Sequence, residues 1–456
     1  MNSDVLVIGA GVAGTTVAIQ MAKQGKTVTL IERDWSMHHL IIGELLQPSG
    51  YACLQDMGLS HTINEEMEAQ PVHGYALHKE GEKFVIEYDE DYQSPVGYGF
   101  RNGKFVQNLR EEAKSLENIN CIVGNVTSIN SDKNEVYGCV YKNEKGNDIE
   151  VNAQLTIVCE GAFSMFRNEL NADKKVVNGF FLGLVLDSGD FEHRNYGNLV
   201  IGKHHPSVMY PISPTEHRVL IDFKKAPRMG EKLKTTLRED YLPDVPKKLV
   251  PAFEKAIEKG EFQSMPNHRL SANPIRKKGV VMIGDTLNMR HPLTGGGMTV
   301  AFHDIRMFSN LMKEVNTSDT EKMMSVINHF YDHRSEEIAS INILADALYN
   351  VVKNEQLSEA VFGYLARGGK YASEPLKLLS GASHDKNMLL RHFSAVAVFG
   401  ARKNLEFFSW KSVKSSNQMM RNAIKVIAPL LIKEKPSTFQ KIAIKSYAFV
   451  DRGVKL

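Results

Sequence analysis

Hydrophobic positions near the start of the chain follow first a strand pattern and then a helix pattern. Residues 5–8 are a short, continuous apolar run and residues 27–31 (Thr-Val-Thr-Leu-Ile) are rich in β-branched side chains, and both patterns are typical of buried strands. Between them, residues 15–24 place small apolar side chains at helical spacing. A strand, a helix and a second strand in this order predict a parallel βαβ unit.

The hydrophobic pattern changes twice further along the chain. Alternating segments near residues 71–90, 121–142 and 149–158 predict additional strands. From residue 176 to residue 265 the apolar runs are short and β-rich, which predicts a second, mixed or antiparallel sheet. After residue 299 the spacing is mostly helical, with a strongly apolar helix predicted at 338–349.

A glycine-rich turn joins the first predicted strand to the first predicted helix. It matches the G-x-G-x-x-G fingerprint of dinucleotide-binding folds, and its residues are Gly9, Ala10, Gly11, Val12, Ala13 and Gly14. The first glycine permits a tight turn, the second lets a pyrophosphate approach, and the third allows close helix packing. The acid Glu32 ends the second strand, where it can accept hydrogen bonds from a ribose. Together these features predict a dinucleotide site.

A second glycine-rich segment follows the apolar run at residues 279–283. Asp285 lies at the predicted strand end, and Gly295, Gly296 and Gly297 lead into a predicted helix that starts near Met298. A helix N-terminus offers free N–H groups, and glycines let a flat ligand approach the backbone. A triple glycine alone fits a plain turn equally well. The late Gly284-Asp285, combined with a single fingerprint and the Glu32-Arg33 strand ending, favours FAD over NAD.

These patterns predict an α/β protein with a Rossmann-like FAD-binding domain, an inserted β-rich substrate domain and a C-terminal helical region. The predicted bounds are 1–175 for the first part of the FAD-binding domain and 176–270 for the β-rich domain. The FAD-binding domain is expected to resume at 271–320. Residues 321–456 are expected to form the helical region.

Charge is unevenly distributed along the chain. The net charge of +2 gives no indication of nucleic-acid binding, but from Arg402 onward 12 lysines and arginines face 3 acidic residues. A basic segment of this kind favours an anionic membrane surface. Residues 393–401 and 424–432 are apolar segments with basic flanks, too short to cross a bilayer. They fit either helices lying in the membrane interface or a helical cap packed on the protein.

The four cysteines, Cys53, Cys121, Cys139 and Cys159, form neither a C-x-x-C pair nor a cluster with zinc spacing. We therefore expect reduced thiols in a reducing compartment and no metal site. The first strand begins at Asp4, so no signal peptide is predicted. The expected location is the cytoplasmic side of a membrane, with peripheral or monotopic attachment.

Four stretches of the sequence carry a resemblance to one family. They are residues 7–14 with 31–33, residues 43–48 (Gly-Glu-Leu-Leu-Gln-Pro), residues 108–110 (Asn-Leu-Arg) and residues 284–298. The segment from Asn288 to Met298 is highly specific. On these residues the chain resembles the squalene monooxygenases (squalene epoxidases), which are FAD-dependent monooxygenases. The similarity extends from residue 4 to the C-terminal helices.

This resemblance implies which residues form the site. Glu32 and Arg33 would bind the adenosine half of FAD, and residues 295–298 would lie by the isoalloxazine ring. The implied cofactor-binding residues are Gly9, Gly11, Val12, Ala13, Gly14, Glu32, Arg33, Arg110, Val126, Asp285, Gly295, Gly296, Gly297 and Met298. Tyr75 and Tyr210 match active-site positions of the family and are the implied catalytic residues, although either residue type is also typical of a core. Two departures stand out, since the family usually has Asp-Gly at Glu160-Gly161 and Pro-Gly-Gly at Pro48-Ser49-Gly50.

The resemblance also implies a reaction and its partners. The expected activity is epoxidation of squalene to 2,3-oxidosqualene in sterol or triterpenoid biosynthesis, through a flavin C4a-hydroperoxide. Squalene or a similar apolar polyene, O2, an NADPH-dependent reductase and a membrane surface are the expected partners, with no nucleic acid. Because the cofactor performs the chemistry, His291 is interpreted as part of the flavin-side loop and not as a general base. A tunnel lined by residues such as Phe180, Leu182 and Leu184 is expected for the substrate, although these residues fit a plain core equally well.

Two other functions remain open from the residues alone. One is an FAD-dependent epoxidase or reductase that acts on another polyene or isoprenoid. The other is a catalytically silent flavoprotein that serves as a membrane-associated scaffold. The intact glycines and Asp285 favour an enzyme.

Overall fold

Two seven-stranded sheets, a small antiparallel three-stranded sheet (residues 45–46, 97–99 and 70–72) and a set of helices form the part of the chain that the structure describes. The computed structural model covers residues 2–38 and 40–405, without the side chains of Asp190 and of 403–405. In chain order its strands are β1 (Asn2–Ile8), β2 (Val28–Glu32), β3 (Leu45–Leu46), β4 (Gln70–Val72), β5 (Gly74–Lys79), β6 (Glu82–Glu87), β7 (Gly97–Gly99), β8 (Ile119–Val123), β9 (Asn125–Asp132), β10 (Glu135–Lys142), β11 (Asp148–Val158), β12 (Val176–Asp187), β13 (Gly197–Val200), β14 (Ser207–Ser213), β15 (Glu216–Phe223), β16 (Gln263–Arg269) and β17 (Val280–Met282). The α-helices are α1 (Val12–Lys23), α2 (Pro48–Asp56), α3 (Asn102–Lys114), α4 (Arg167–Leu170), α5 (Glu231–Thr236), α6 (Val250–Lys259), α7 (Gly297–Met312), α8 (Thr320–His333), α9 (Ser335–Val352), α10 (Glu355–Leu365), α11 (Lys370–Leu379) and α12 (Lys386–Leu405).

The first sheet contains the predicted βαβ unit, which the structure confirms. Its strand order is β8-β2-β1-β11-β10-β9, and β17 pairs with the second half of β11. The strands β8, β2, β1, β11 and β17 are parallel, whereas β10 and β9 join antiparallel. Carboxyl ends of neighbouring parallel strands lie at one edge of a sheet, where α/β folds bind ligands. The chain therefore brings Gly9, Glu32, Cys159 and Gly284, which follow or end four of these strands, to the same edge.

The second sheet has the order β16-β12-β15-β14-β13-β5-β6. It is antiparallel except for the parallel pair β13–β5, in agreement with the predicted mixed sheet. Strands β5 and β6 come from before residue 176, so the sheet is built from two separate parts of the chain. The domain bounds given above stay predictions.

Each face of the second sheet packs against helices. Even-numbered residues of β12 such as Leu182 and Leu184 pack on the side of α5 and α6, together with Leu237 and Phe253. The opposite face carries Phe181, which belongs to a core with Tyr75, Tyr210, Phe362 and Leu376. The sheet is therefore buried on both faces, and its strands alternate between two different cores.

The helical region begins at α7 and closes over the second sheet. The apolar helix predicted at 338–349 lies inside α9 and is confirmed, with Ile338 and Ile341 completely buried. A buried ion pair, Arg334 Nε to Asp304 Oδ1 at 2.9 Å and Nη2 to Oδ2 at 2.6 Å, ties the start of α9 to α7. Residues 393–401 lie within α12, while 424–432 and the basic segment beyond Arg402 lie outside the described residues. Across the described ranges, no helix combines the length and the apolar character needed to span a bilayer.

We expect Gly14→Ala to destabilise the first sheet and its helix. A Cβ at Gly14 would overlap the carbonyl oxygen of Gly9, a backbone atom that cannot move without disturbing the turn. The expected loss is about 1–3 kcal/mol in the free energy of unfolding, as for other overpacked sites, together with a reduced FAD content. Urea denaturation and flavin absorbance measure the two effects. The control is Gly189→Ala, because a Cβ there meets no atom within 4 Å; equal losses in both variants would contradict the packing argument.

Candidate active site

The turn after β1 approaches the end of β11 very closely. Gly9 has φ +97°, and a Cβ there would lie 2.6 Å from the carbonyl oxygen of Cys159. Beside it, the Ala10 N–H donates to Glu32 Oε2 at 2.8 Å, and the Asp34 N–H donates to Glu32 Oε1 at 3.1 Å. Each carboxylate oxygen has more than one acceptor position, so Glu32 can hold the turn and still accept from a ribose.

Gly11 faces open space. No atom lies within 4 Å of a Cβ placed there, and α1 begins at the next residue, Val12. The first turn of α1 contains no acidic residue, so its N–H groups and positive dipole end are available to a phosphate. This is the pyrophosphate position that the fingerprint predicts.

Arg110 joins this turn to the loop after β2. Its Nε donates to the carbonyl of Ala10 at 2.9 Å, while Nη1 and Nη2 donate to the carbonyls of Ser36 and Asp34, both at 3.1 Å. The guanidinium also lies 5.2 Å from the ring centroid of Trp35. Burial lowers the pKa of Arg110, and Glu32 and Asp34 oppose that shift. Arg110 lines the cavity described below, but its donors hold the loop after β2.

Arg167 plays the same part on the other side of the site. Its Nε donates to the carbonyl of Thr286 at 3.2 Å, and Nη2 donates to that of Asp285 at 3.3 Å. The remaining contacts are to the carbonyls of Gly161 at 2.5 Å and Ala162 at 3.0 Å. Arg167 is 3% exposed, so it ties the turn after β11 to the turn after β17.

The Asp285 carboxylate opens into the cavity. The surrounding protein raises the pKa of this side chain by excluding water, while Arg290 and Arg167 favour its charged form. The side chain of Glu160 instead forms a hydrogen bond within its own turn, since its Oε2 accepts from Ser164 Oγ at 2.5 Å. The two acids that close β11 and β17 thus have different surroundings.

The glycine-rich segment is shaped by Arg290. Its Nη1 donates to the carbonyls of Gly296 and Gly297, both at 3.1 Å, and its Nη2 donates to that of Asn288 at 2.9 Å. Gly295 has φ +63°, and a Cβ at Gly297 would meet no atom within 4 Å. The loop therefore presents bare backbone and the N-terminus of α7 to the cavity, as a flat ring requires.

One cavity of about 680 Å³ connects these elements. Most of the residues predicted for the site line it, namely Gly9, Gly11, Val12, Ala13, Glu32, Arg33, Arg110, Val126, Tyr210, Asp285, Gly295, Gly297 and Met298. Gly14 and Gly296 lie behind the wall, packed against Gly9 and Ile341 respectively. Tyr75 is also outside the lining.

The part of the cavity lined by β3, the second sheet and the segment just before the glycines, called the apolar half below, is mostly apolar, with Asn267 and His268 of β16 among its polar members. It is lined by Ile42, Leu45, Val208, Leu220, Met265 and Leu293. The expected tunnel residues Phe180, Leu182 and Leu184 are absent from this lining, so that prediction is wrong. Leu182 and Leu184 point to the core beneath α5 and α6, because successive side chains of a strand face opposite sides of the sheet.

Tyr75 is connected to the glycine loop through Gln47. The Gln47 amide Nε2 donates to Tyr75 Oη at 2.6 Å and to the Thr294 carbonyl at 2.7 Å, and Tyr88 Oη donates to Gln47 Oε1 at 2.8 Å. Gln47 is completely buried. Burial raises the pKa of Tyr75 to about 12, so its phenol stays protonated at neutral pH.

Tyr210 lies beside a buried ion pair. Arg218 Nε donates to Glu44 Oε2 at 2.7 Å, and its Nη2 donates to Oε1 at 3.2 Å. Burial and the Glu44 carboxylate raise the pKa of the Tyr210 phenol. Both predicted tyrosines are therefore neutral hydroxyls in an apolar core, suited to orienting a substrate and not to proton abstraction.

His291 has a structural environment. It is 1% exposed and stacks on Tyr349 with ring centroids 3.6 Å apart. Its Nδ1 accepts from the Leu293 N–H at 3.3 Å, and burial lowers its pKa despite the nearby Asp222. It does not line the cavity, which agrees with its interpretation as part of the loop.

Sequence reasoning missed Arg167, Arg290 and Gln47 as organising residues. The two arginines bond mainly to backbone carbonyls, which no side-chain motif encodes. Gln47 belongs to the Gly-Glu-Leu-Leu-Gln-Pro stretch at residues 43–48, but its partners Tyr75 and Thr294 come from distant parts of the chain. The one sequence signal for the two arginines is that each lies within a few residues of a glycine at a predicted turn, Arg167 after Gly161 and Arg290 before Gly295.

The residues present fit FAD. Two helix N-termini with no acid in their first turns face one cavity, and the backbone is bare at Gly11 and Gly297. Glu32 at the end of β2 and Asp285 after β17 offer carboxylate acceptors for the hydroxyl groups of the ribose and of the ribityl chain of FAD. The cavity volume lies in the range of cofactor sites, about 300–1,000 Å³.

Comparisons with known proteins agree with this geometry. The squalene epoxidase family model matches residues 152–416, and the FAD dependent oxidoreductase model matches residues 4–39. The chain is 40% identical over 446 residues to squalene epoxidase 2, mitochondrial, of Arabidopsis thaliana, covering 95% of this chain and 76% of that protein. It is 34% identical over 449 residues to squalene monooxygenase of Rattus norvegicus, covering 95% and 78%.

Solved structures resemble the fold at lower identity. A flavoprotein/dehydrogenase from Cytophaga hutchinsonii superposes with a TM-score of 0.70 at 18% identity, covering 88% of this chain and 100% of that chain. The flavin-dependent brominase Bmp2 gives a TM-score of 0.69 at 17% identity, with 88% and 100% covered. At these identities the likeness shows the fold alone.

We expect Arg167→Met to weaken FAD binding while the sheet stays folded. The variant leaves the carbonyls of residues 161–162 and 285–286 without their shared donor, so the two turns that face the cofactor separate. Fluorescence titration should show an FAD dissociation constant raised about tenfold or more, as for loss of a charged hydrogen-bonding group. Arg167→Lys should behave similarly, since an ammonium lacks the planar fork.

The matched control for this prediction is Lys175→Met. Lys175 also reaches the Ala162 carbonyl, at 2.9 Å, but it is exposed, and among the described residues no hydrogen bond or ion pair joins its side chain to residues 285–286. Its FAD affinity should stay within about twofold of the unaltered protein. An unchanged affinity in Arg167→Met would contradict the role given to Arg167.

Proposed function

The chain belongs to the squalene epoxidase family, and we propose that the protein is an FAD-dependent monooxygenase that converts squalene into 2,3-oxidosqualene. One oxygen atom of O2 enters a terminal double bond of the substrate, and the other leaves as water with two electrons that originate from NADPH. The observation that carries the proposal is one cavity with two unlike halves. Its nucleotide half lies at the strand ends, and its other half is lined by aliphatic side chains.

FAD, when bound, supplies the redox chemistry that activates O2. The chain's own residues bind the cofactor and shape the space beside it. Asp285 and the N-termini of α1 and α7 face the nucleotide half. Leu45, Val208 and Leu220 form an apolar wall that orients an alkene and excludes water.

We assign Tyr75 and Tyr210 to the substrate side of the reaction. Tyr210 lines the apolar half directly, and Tyr75 lies behind it, held by Gln47 next to the Thr294 carbonyl. Neither is poised to ionise at neutral pH, because burial raises the pKa of both phenols. Their proposed role is to hold the substrate in a fixed position relative to the glycine loop.

A separate reductase is proposed as the electron donor. The sequence contains a single dinucleotide fingerprint, at Gly9 to Gly14. FAD occupies that site in the proposed function, so no second such motif is left for NADPH. Electrons from NADPH would therefore arrive through another flavoprotein.

A membrane surface is proposed as the source of the apolar substrate. Around the contact between α12 and the turn before α11, Val398 is 42% exposed, and Arg367, Lys370 and Arg391 are exposed cations. Arg367 lies 6.0 Å from the Phe399 ring centroid, which places the basic turn beside α12. Exposed apolar and basic side chains together favour the interface of an anionic membrane, here on the cytoplasmic side.

The enzymatic test uses the purified holoprotein with squalene, NADPH, a cytochrome P450 reductase and O2. Gas chromatography with mass detection should show a product one oxygen heavier than squalene, with no product when O2 is removed. NADPH without the reductase should leave the flavin absorbance unbleached. Bound FAD with unreacted squalene would rule out squalene as the substrate. Saturation of an isoprenoid double bond in the absence of O2 would identify the protein as a reductase instead.

The membrane test uses flotation of the full chain with vesicles of phosphatidylcholine, with and without phosphatidylserine. The protein should float with the anionic vesicles, and Val398→Glu should lower the bound fraction about threefold or more, because a buried carboxylate in the interface is unfavourable. Ile275→Glu is the matched control, since Ile275 is also 42% exposed but lies far from α12 in sequence. Equal loss in the two variants would contradict α12 as the attachment surface.

A further inference from the structure

Three separate parts of the fold meet at Ser49, the second residue of α2. Its Oγ donates to the Ser380 carbonyl at 2.8 Å and lies 3.2 Å from His303 Nε2. The Ser49 N–H donates to the same carbonyl at 3.3 Å. Ser380 ends α11, and His303 belongs to α7. One hydroxyl thus links three elements: α2, the helix α7 that follows the glycine loop, and the end of α11 in the helical region.

The His303 side of this contact is buried and charged. His303 Nδ1 lies 3.0 Å from Glu337 Oε2 on α9, and Arg306 Nη2 donates to the same oxygen at 3.0 Å. Burial alone would lower the pKa of His303, but Cys53 and Glu337 raise it to about 9. Because Ser49 Oγ donates its one hydrogen to the Ser380 carbonyl, the 3.2 Å contact requires His303 Nε2–H to donate to Ser49 Oγ.

These donors and acceptors form a directed chain. Glu337 accepts from His303, His303 donates to Ser49, and Ser49 donates to the Ser380 carbonyl. Ser49 and Gly381 are closely packed, because a Cβ at Gly381 would overlap Ser49 Oγ. The turn at residues 380–381 is consequently held directly against the start of α2.

The start of α2 also carries the contact to the active site. Gln47 precedes α2 and bridges Tyr75 Oη to the Thr294 carbonyl. A Cβ at Gly295 would lie 3.4 Å from Gln47 Nε2, so the glutamine touches the glycine loop. Only Pro48 separates Gln47 from Ser49 in the sequence.

We propose that Ser49 is a positioning residue, through which the relay Glu337–His303–Ser49–Ser380 fixes Gln47 and so holds Tyr75 and the glycine loop in place for the reaction. The proposal rests on the proposed function, and it concerns a position at which this sequence departs from the usual family pattern. Ser49 does not line the cavity. Its effect passes through the backbone of residues 47–49.

The first test is Ser49→Ala in the full-length holoprotein, assayed with squalene, reductase and NADPH. Loss of one hydrogen-bonded hydroxyl should lower kcat for epoxide formation about tenfold with KM changed less than about twofold. The ratio of hydrogen peroxide formed to NADPH consumed should rise. A displaced glycine loop should make epoxide formation a smaller fraction of the reduction events. FAD affinity should stay within about twofold of the unaltered protein, since the nucleotide half is untouched.

Controls separate positioning from stability. Ser115→Ala removes an exposed serine hydroxyl that donates to the Glu112 carbonyl at 2.7 Å at the end of α3, and it should leave kcat and coupling unchanged. Glu337→Gln acts at the far end of the relay and should also uncouple the reaction. The double variant Ser49→Ala/Glu337→Gln should be no worse than the more impaired single variant, because both break one chain.

A second readout does not depend on squalene. The visible circular dichroism of bound FAD should change in Ser49→Ala and not in Ser115→Ala, because the proposed site would place the flavin ring by the glycine loop. A lowered melting temperature with unchanged coupling and unchanged dichroism would overturn the positioning role. A protein that makes no oxidosqualene but shows the dichroism change would overturn the proposed substrate and keep the role of Ser49.

Discussion

The close approach of backbone at the carboxyl edge of the first sheet is the constraint on which the rest of the structure depends. The turn at Gly9 leaves no room for a Cβ against Cys159, and the helix at Gly14 leaves none against Gly9. This contact fixes where α1 begins and therefore where its free N–H groups point. Because β1, β11 and β17 are parallel neighbours, their terminal residues share this edge, and Asp285 reaches the same cavity as Glu32.

Buried arginines convert that edge into a defined site. Arg110, Arg167 and Arg290 each bond to backbone carbonyls of the loops that surround the cavity. A buried cation is costly unless its donors are satisfied, so each guanidinium holds its loops in one arrangement. The loops are thereby fixed by long-range contacts and not by their own turn sequences.

The two halves of the site are joined by few side chains. Gln47 spans from the second sheet to the glycine loop, and the helical region reaches the same place through Ser49 and Ser380. Prediction from sequence succeeded where the signal was local, as at Gly9–Gly14, Asp285 and the helix at 338–349. It failed for Phe180, Leu182 and Leu184, because a run that is apolar on both faces does not tell which face meets the cavity.

By itself the sequence determined the α/β class, the dinucleotide turn, the acids that end β2 and follow β17, and the glycine loop before α7. Each of these is encoded within a few residues, by glycine conformations and by strand or helix periodicity. Only the tertiary structure decided that Gln47 meets Thr294, 247 residues away, and that Ser49 meets Ser380, 331 residues away. Hydrogen bonds between such distant groups depend on how sheets and helices pack, and no local pattern of residues records that packing.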